Sequence, residues 1–299
     1  MQDSKATNRA RLNLILVCML FGTIGVITRI VDLPSTVICF GRAVFAVITI
    51  LVISLLTKRK MDFAAIKRNF PLLLASGLFM CFNWFCQFEA FRYTTIATAT
   101  LCYYMQPIFF ILGARIFFKE KLSAKKMICV VVAFCGMIMV SGVVQVGFNL
   151  HELRGAIIAA IGAVFYAAVV LLNKGLKDID PNDSTMVMLT ITSVIMFFYI
   201  MFTEDVSALT VTPIGISALI LMGVLHTGIG YVVYFKSMRK LSAQTVGVIS
   251  YMDPVEAVLL SALVLREPLN VATIAGAILI LGATAVSELS FKFKNSRLQ

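Results

Sequence analysis

The sequence predicts an all-α membrane protein: a polytopic bundle of ten transmembrane helices in two inverted five-helix repeats. Three observations lead to this prediction: the composition, a series of long apolar runs, and a phrase that occurs twice. The chain of 299 residues is 60% hydrophobic and only 14% charged, whereas soluble domains carry about 25% charged residues. Apolar runs near the ~20 residues of a membrane helix recur along the whole chain, so most of it is expected to lie in a bilayer.

The apolar runs are each long enough to cross about 30 Å of hydrocarbon as a helix. Helices are required because an open strand edge in lipid would leave backbone N–H and C=O groups unpaired. The connections are short, so no soluble domain is expected. In chain order the predicted spans, called spans 1 to 10, cover residues 13–31, 36–56, 71–91, 95–118, 125–143, 154–173, 184–202, 214–235, 242–265 and 270–288.

The basic residues predict how the spans are oriented. With a cytoplasmic N-terminus, 20 of the 26 Lys and Arg residues fall in cytoplasmic segments and four fall in outer segments. Because cytoplasmic loops carry the excess of basic residues, the sequence predicts a multi-pass protein of the plasma membrane (bacterial inner membrane) with both termini inside. The net charge of +11 is explained in the same way, and nucleic acid is not expected as a partner.

A short phrase, YYMQP at residues 103–107, returns as SYMDP at residues 250–254. A shift of 147 residues superposes Tyr104 on Tyr251 and Pro107 on Pro254, which places span 4 on span 9. Each half, 1–148 and 149–299, has five spans, an odd number, so the halves must cross the membrane in opposite senses. Inverted repeats of this kind build secondary transporters whose site lies near mid-membrane between the repeats.

Several phrases resemble those of a known family. Span 2 contains GRAVFA, spans 4 and 9 end in KEKL and REPL, and span 9 contains DPVEA. In these phrases the chain resembles the drug/metabolite transporter superfamily in its EamA-like branch. The stretch NWFCQFEAFRYTTIATATLCYYMQP, residues 83–107, is most similar to amino-acid exporters of the YddG type. The resemblance implies a ten-helix fold, transport of a small metabolite and a functional monomer. One departure is Glu256, where relatives mostly carry an apolar or hydroxyl residue.

Two acids in span 9 are the first candidates for a substrate site. An ionisable group in mid-membrane costs at least about 2.5 kcal/mol and usually faces a cavity. Asp253 and Glu256 are three residues apart, hence on roughly one helical face, and would bind a substrate ammonium or exchange protons. Pro254 and its repeat mate Pro107 are candidate hinges, and Gln106 stands beside Pro107 at the matching depth.

Span 3 carries a second set of candidates. Asn83 and Gln87 are four residues apart and share a face. Trp84, the only tryptophan, lies too deep for the interfacial belt and would form either a cavity wall or part of the packed core. Glu89 near the outer end of the span is expected to pair with Arg42 of span 2, as a structural tie or an outer gate.

The remaining candidates are a histidine and several tyrosines. His226 in span 8 would hydrogen bond a neighbouring helix or take up a proton near neutral pH. The complete set of predicted substrate-binding residues is Asn83, Trp84, Gln87, Tyr103, Gln106, Tyr166, His226, Tyr231, Tyr251, Asp253 and Glu256.

The sequence lacks the motifs of several enzyme classes. It has no phosphate-binding loop for ATP and no H-E-x-x-H zinc motif, and its seven cysteines show no metal-ligand spacing. No catalytic residue, metal or cofactor is therefore predicted. The prediction is a secondary transporter that exports small amphipathic metabolites such as amino acids by alternating access, with the lipid bilayer as its environment and protons as a candidate coupling ion. The alternatives are an organic-cation or drug transporter using Asp253 and Glu256, and a non-transporting membrane receptor or assembly factor.

Overall fold

Helices occupy all ten positions at which the sequence predicts a span. The structure, a computed structural model, describes residues 2–28, 31, 33–90, 92–94, 99, 102–140, 153–205, 209, 212–264 and 271–296. Within these ranges the regular secondary structure is entirely helical, which confirms the all-α class. The predicted boundary at 148/149 and Glu267 of the REPL phrase lie outside the described residues.

The two halves contain corresponding helices. In the first half these are Gln2–Gly22 and Ile24–Thr28 (span 1), Ser35–Leu56 (span 2), Phe63–Ala90 (span 3), Gln106–Phe117 (span 4) and Ala124–Val140 (span 5). In the second they are Leu153–Gly175 (span 6), Pro181–Thr203 (span 7), Pro213–Leu221, Met222–Ile229 and Gly230–Met238 (span 8), Ala243–Ser250 and Met252–Val264 (span 9), and Val271–Ser296 (span 10). By length and apolar composition, spans 2, 3, 6, 7 and 8 are each sufficient to cross a membrane.

Some helices run beyond the apolar stretch that predicted them. Span 3 begins at Phe63, not near residue 71, because the Asp62 carboxylate accepts a hydrogen bond from the Ala65 N–H at 2.9 Å and so caps the helix. Pro71 is accommodated inside this helix. Hydropathy detects only the part of a helix that lies in lipid, and the polar first turns escape it.

Spans 4 and 9 are each interrupted at the repeated tyrosine. The helix of span 9 ends at Ser250, turns at Tyr251 and resumes at Met252, and span 4 turns at Tyr104 and resumes at Gln106. The break therefore precedes each proline by three residues. Proline is tolerated in the first turn of a helix, where its missing N–H has no intrahelical partner. The hinge roles of Pro107 and Pro254 stay a prediction.

Span 8 contains a π-helical segment, Met222–Ile229. Such segments are rare and are frequent at functional sites. Gly223 in this segment packs against span 2 so closely that an added Cβ would lie 2.4 Å from the Phe45 Cβ. The widened turn and its glycine therefore bring span 8 against span 2.

Most contacts between the helices recur when the two halves are exchanged. Span 3 packs on span 6 as span 8 packs on span 1, and span 4 packs on span 6 as span 9 packs on span 1. Span 2 packs on span 8 as span 7 packs on span 3. Spans 2, 4 and 5 each pack on their own counterparts, spans 7, 9 and 10. The halves are thus related by an approximate two-fold axis.

The loops show that the halves are inverted. Arg59 in the 2–3 loop pairs with Asp180 in the 6–7 loop at 2.7 Å, and Glu120 in the 4–5 loop pairs with Lys174, at the end of span 6, at 2.7 Å. This end of the molecule, which also holds the 8–9 loop, is called the basic end. The first turn of span 2 meets the end of span 7 at the opposite end, where the Thr36 hydroxyl donates to Glu204 Oε1 at 2.6 Å. Consecutive spans therefore run antiparallel. Because each half has five spans, an odd number, the second half is oriented opposite to the first.

Burial differs sharply between the inner and outer spans. Every residue of Ala243–Ser250 in span 9 is buried, whereas Leu56 and Phe202 are 78% and 87% exposed. Large apolar surfaces are rare on soluble monomers and fit contact with acyl chains. The first helix of span 9 thus lies at the centre of the bundle.

Candidate functional site

A small cavity lies between the two halves, beside the interrupted spans. Its volume is about 50 Å³, which holds only a few water molecules. Ligand pockets measure about 300–1,000 Å³, so the cavity must widen before it can take a metabolite. It is lined by Cys18 and Phe21 of span 1, Tyr103, Tyr104 and Gln106 of span 4, Tyr166 of span 6, Tyr234 of span 8, and Ser250 and Asp253 of span 9.

Among the described residues that line this cavity, Asp253 is the only acid. It lies in the first turn of the second helix of span 9, where the helix dipole favours a carboxylate. The Tyr104 side chain hydrogen bonds it across the pseudo-two-fold axis. Within the described part of the chain, no Lys, Arg or His lies within ion-pairing distance of Asp253. Its charge is thus available to a ligand.

Glu256, the other acid of span 9, has a different position. It lies one turn beyond Asp253 but is absent from the cavity lining. Its side chain packs against Gly22 of span 1, where an added Cβ would lie 2.6 Å from the Glu256 Cβ. The two predicted acids are therefore separated, one on the cavity and one at the contact between spans 1 and 9.

Aromatic rings form most of the cavity wall. The Tyr103 ring lies 6.1 Å from both the Tyr104 and the Tyr166 ring centroids. Tyr251, the repeat mate of Tyr104, is fully buried outside the lining, and its hydroxyl has no hydrogen-bond partner among the described groups. The two repeated tyrosines thus have unlike environments, although both mark a helix break.

The candidate residues Asn83 and Gln87 of span 3 lie behind the aromatic wall of the cavity. The Asn83 amide donates to the Gly162 carbonyl of span 6 at 2.9 Å and approaches the Tyr103 hydroxyl from outside the cavity. Gln87 is half-buried, and its backbone N would lie 3.7 Å from a Cβ added at Gly162. Asn83 holds spans 3 and 6 together and positions Tyr103, whereas Gln87 does not reach the cavity lining.

Arg42 and Glu89 do not pair with each other in this structure, which corrects the expected ion pair. Arg42 Nε donates to the Thr227 hydroxyl at 3.1 Å, and its guanidinium carbon lies 5.8 Å from the Trp84 ring centroid. Glu89 pairs instead with Arg92, three residues further along, at 3.2 Å. The reason is that Arg42 points inward to spans 3 and 8, whereas Glu89 sits at the end of span 3.

His226 and Tyr231 adjoin Arg42. His226 Nε2 lies 2.6 Å from the Thr23 hydroxyl oxygen; since that hydroxyl donates its proton to the Leu20 carbonyl, the histidine is the donor. The Trp84 indole N–H is hydrogen-bonded to Tyr231. Arg42, Trp84, His226, Thr227 and Tyr231 together are called the Arg42 cluster.

Phe21 connects the Arg42 cluster with the cavity. Its ring is part of the cavity lining and meets Tyr231 edge-on, with the centroids 5.7 Å apart. On its other side it lies 6.1 Å from the ring of Tyr234. The cavity and the Arg42 cluster are therefore neighbours separated by one layer of aromatic rings.

The predicted substrate-binding set does not include five of the lining residues: Cys18, Phe21, Tyr104, Tyr234 and Ser250. The repeat contains a signal for two of them, because Ser250 and Tyr104 are the mates of the predicted residues Tyr103 and Tyr251 under the shift of 147 residues. Span 1 has no such phrase, and its Cys18 and Phe21 look like ordinary apolar residues. Among the described residues no three His, Cys, Asp or Glu side chains are close enough to hold a metal ion.

The family model of the EamA-like transporter family matches the chain twice, at residues 9–142 and 153–288. The uncharacterized transporter YxxF of Bacillus subtilis (strain 168) is 28% identical over 260 residues, 86% of this chain and 82% of that protein. The uncharacterized transporter YvbV of the same organism is 25% identical over 232 residues, 77% of this chain and 74% of that protein.

A solved crystal structure of another protein has the same fold. It superposes with a TM-score of 0.84 over 94% of this chain and 98% of that chain, at 18% identity. The two family matches correspond to the two halves that the packing relates by a two-fold axis.

Proposed function

The chain belongs to the EamA-like transporter family, so it is a membrane transporter, and we propose that its substrates are small amphipathic metabolites that carry an amino group, amino acids foremost. The single observation that supports this class is Asp253, which has no basic partner among the described residues and lies in a cavity walled by tyrosines. A carboxylate suits an ammonium group, and the rings suit the apolar part of the substrate. Glu256 remains a candidate for proton exchange.

Alternating access would proceed by motion of one half against the other. Contacts between the halves lie at both ends of the structure, including Glu120–Lys174 at the basic end and Thr36–Glu204 at the other. The small cavity is lined by residues of both halves, which supports a site that each end would expose in turn. The interruptions at Tyr104 and Tyr251 would let spans 4 and 9 bend during the exchange.

Orientation, direction and coupling also belong to this proposal. The excess of basic residues in loops 2–3, 4–5, 6–7 and 8–9 supports a cytoplasmic basic end in the plasma membrane. Net movement is proposed to be outward, because the chain resembles amino-acid exporters, and protons are the proposed coupling ion. A functional monomer is proposed from the same resemblance. An imposed pH gradient that leaves flux unchanged would argue for uniport instead.

A second candidate is transport of organic cations. The aromatic lining favours it, since tyrosine rings attract quaternary ammonium groups, and the lining itself contains no basic residue. The two candidates differ in whether the substrate must also carry a carboxylate.

Counterflow in proteoliposomes would test the proposal. We expect labelled leucine to accumulate in vesicles preloaded with unlabelled amino acid, and choline to accumulate little. Asp253→Asn should slow leucine counterflow about 10-fold or more, because it removes a hydrogen bond to a charged group. Asp178→Asn, at an acid that is 86% exposed, is the matched control and should transport normally.

Two results would contradict this assignment. Counterflow of choline without any amino acid would select the second candidate. An Asp253→Asn, Glu256→Gln double variant that moved every substrate at the wild-type rate would remove the acids from the site altogether.

A further inference from the structure

Arg42 is a positive charge at membrane depth without a carboxylate partner. It is the eighth residue of the helix Ser35–Leu56, about 10 Å inside the helix end at 1.5 Å per residue. Within the described ranges no Asp or Glu lies within ion-pairing distance of its guanidinium, and Glu89 is already paired with Arg92. Charged groups at such depth pair with an opposite charge or face a water-filled cavity. Arg42 therefore lacks the opposite charge that such a depth favours, and an anionic ligand would supply it.

The geometry of Arg42 leaves the donors of its terminal nitrogens unused. A guanidinium has five N–H groups in a planar fork. Only the Nε group donates to the described part of the protein, at the Thr227 hydroxyl. The two terminal nitrogens of such a fork match the two oxygens of a carboxylate. The hydrogen bond to Thr227 and the face of Trp84, 5.8 Å away, hold the fork in place.

The Arg42 cluster adjoins the cavity that contains Asp253. Phe21 belongs to the cavity lining and meets Tyr231 at 5.7 Å between centroids. Tyr231 in turn contacts Trp84, under the guanidinium. Arg42 and Asp253, which have opposite charges and no ion-pair partner among the described residues, thus lie on opposite sides of one layer of aromatic rings.

The geometry points to Arg42 as a subsite for the carboxylate of a zwitterionic substrate, with Asp253 taking its ammonium group and Thr227 and Trp84 orienting the guanidinium. This inference rests on the proposed function and narrows its substrate class from amines to zwitterions. The Phe21 and Tyr231 rings must move apart for one molecule to contact both charges. That movement would also widen the cavity.

Trp84 makes the subsite directly observable, because it is the only tryptophan of the chain. The full-length protein in nanodiscs would be titrated with leucine, with its deaminated analogue 4-methylpentanoate, and with its decarboxylated analogue 3-methylbutylamine. Tryptophan emission would report binding. We expect leucine and 4-methylpentanoate to change the emission of the wild type.

Substitution of Arg42 should change the binding affinity differently for each of the three ligands. Arg42→Gln should weaken binding of 4-methylpentanoate about 10- to 100-fold, the loss expected for a hydrogen bond between charged groups. It should leave binding of 3-methylbutylamine, measured by competition, within about twofold, a change of less than ~0.5 kcal/mol. Arg42→Lys keeps a point charge but loses the planar fork of the guanidinium. Its affinity for 4-methylpentanoate should therefore lie between that of the wild type and that of Arg42→Gln. Arg92→Gln, at an exposed pair, is the control and should bind all three as the wild type does.

The outcomes distinguish this inference from the proposed function. If folded Arg42→Gln binds 4-methylpentanoate as tightly as the wild type, the subsite is refuted, even if leucine counterflow persists. If leucine is not transported but 4-methylpentanoate binding still requires Arg42, the subsite stands and the amino-acid proposal falls. Should Arg42→Gln not fold, Arg42→Lys decides: wild-type affinity for the acid in that variant would refute the subsite.

Discussion

Gly22 marks the point of closest approach between spans 1 and 9. A Cβ added there would lie 2.6 Å from the Glu256 Cβ and 2.8 Å from the Asp253 carbonyl oxygen. The second of these atoms belongs to the backbone and cannot turn away. The missing side chain therefore sets the distance between span 1 and the helix that carries both acids.

We expect Gly22→Ala to lower the free energy of unfolding by about 1–3 kcal/mol, as for other overpacked contacts. It should also slow counterflow, because span 9 must shift away from its place on the cavity. Gly282→Ala is a matched control, since nothing lies within 4 Å of a Cβ added there. Thermal unfolding in detergent would measure both variants, and equal melting temperatures would contradict the close contact.

Single residues differ in how far sequence alone can place them. The position of Asp253 on a cavity is predictable because a charge inside an apolar span has few tolerable positions. Its depth follows from the repeat, which matches it to Gln106. The partners of Arg42 are not predictable, since they depend on how span 2 is rotated about its axis against spans 3 and 8. Cys18 and Phe21 line the cavity only because of where span 1 lies in the bundle. No residue pattern in the sequence predicts that position.

At the scale of single elements, the helix of span 7 shows how a loop residue sets a boundary. Asp180 accepts a hydrogen bond from the Asn182 N–H at 2.8 Å, which caps the helix at its first turn, and pairs with Arg59 at 2.7 Å. Partial burial by itself raises the pKa of Asp180. The hydrogen bonds from Asn182 and the charge of Arg59 outweigh that effect, so the pKa is lowered from its ordinary value of 3.8.

The lowered pKa gives the contribution of Asp180 a definite pH dependence. Since the folded protein holds the proton less tightly than the unfolded chain, the stabilisation is complete above pH ~4 and is lost as the pH falls through the lower, folded value. Asp180→Ala should cost about 0.5–2 kcal/mol at pH 7, and the difference should shrink in acid. Asp180→Asn, which still caps but does not titrate, should cost less than Asp180→Ala at pH 7 and should converge with the wild type over the same pH range. Melting curves from pH 7 to pH 3 would decide.

The sequence predicts where the helices lie better than it predicts where they are interrupted. The ten apolar runs require helices because lipid offers no other partner for the backbone. The turns at Tyr104 and Tyr251 are predictable only approximately, from the prolines that follow them. The π-helical turn in span 8 has no such mark, because it depends on the packing of Gly223 against Phe45.

Across the whole molecule, Glu120 joins the two halves at the basic end. Its Oε1 pairs with Lys174 at 2.7 Å, and its Oε2 accepts the Ala243 N–H at the start of span 9 at 2.9 Å. Lys174 also donates to the Leu241 carbonyl at 2.8 Å. One carboxylate of the KEKL phrase thus links the 4–5 loop to spans 6 and 9 at this end.

Glu120→Gln should therefore favour opening at the basic end. In a variant that keeps Cys18 as its only cysteine, we expect labelling by an impermeant maleimide from that end to become about 10-fold faster, as loss of a hydrogen bond between charged groups implies. Lys121→Gln, at an exposed neighbour, is the control. Equal labelling rates in the two variants would show that Glu120 does not hold this end closed.

The burial of Ala243–Ser250 on every side has a consequence for the protein in different membranes. This helix leads directly to Asp253, yet it touches no lipid. Changes in bilayer thickness or headgroup chemistry can reach it only as forces relayed by the surrounding helices. The binding chemistry at the centre should thus be insulated from membrane composition, while the speed of the conformational cycle, which moves the outer helices through lipid, should not be.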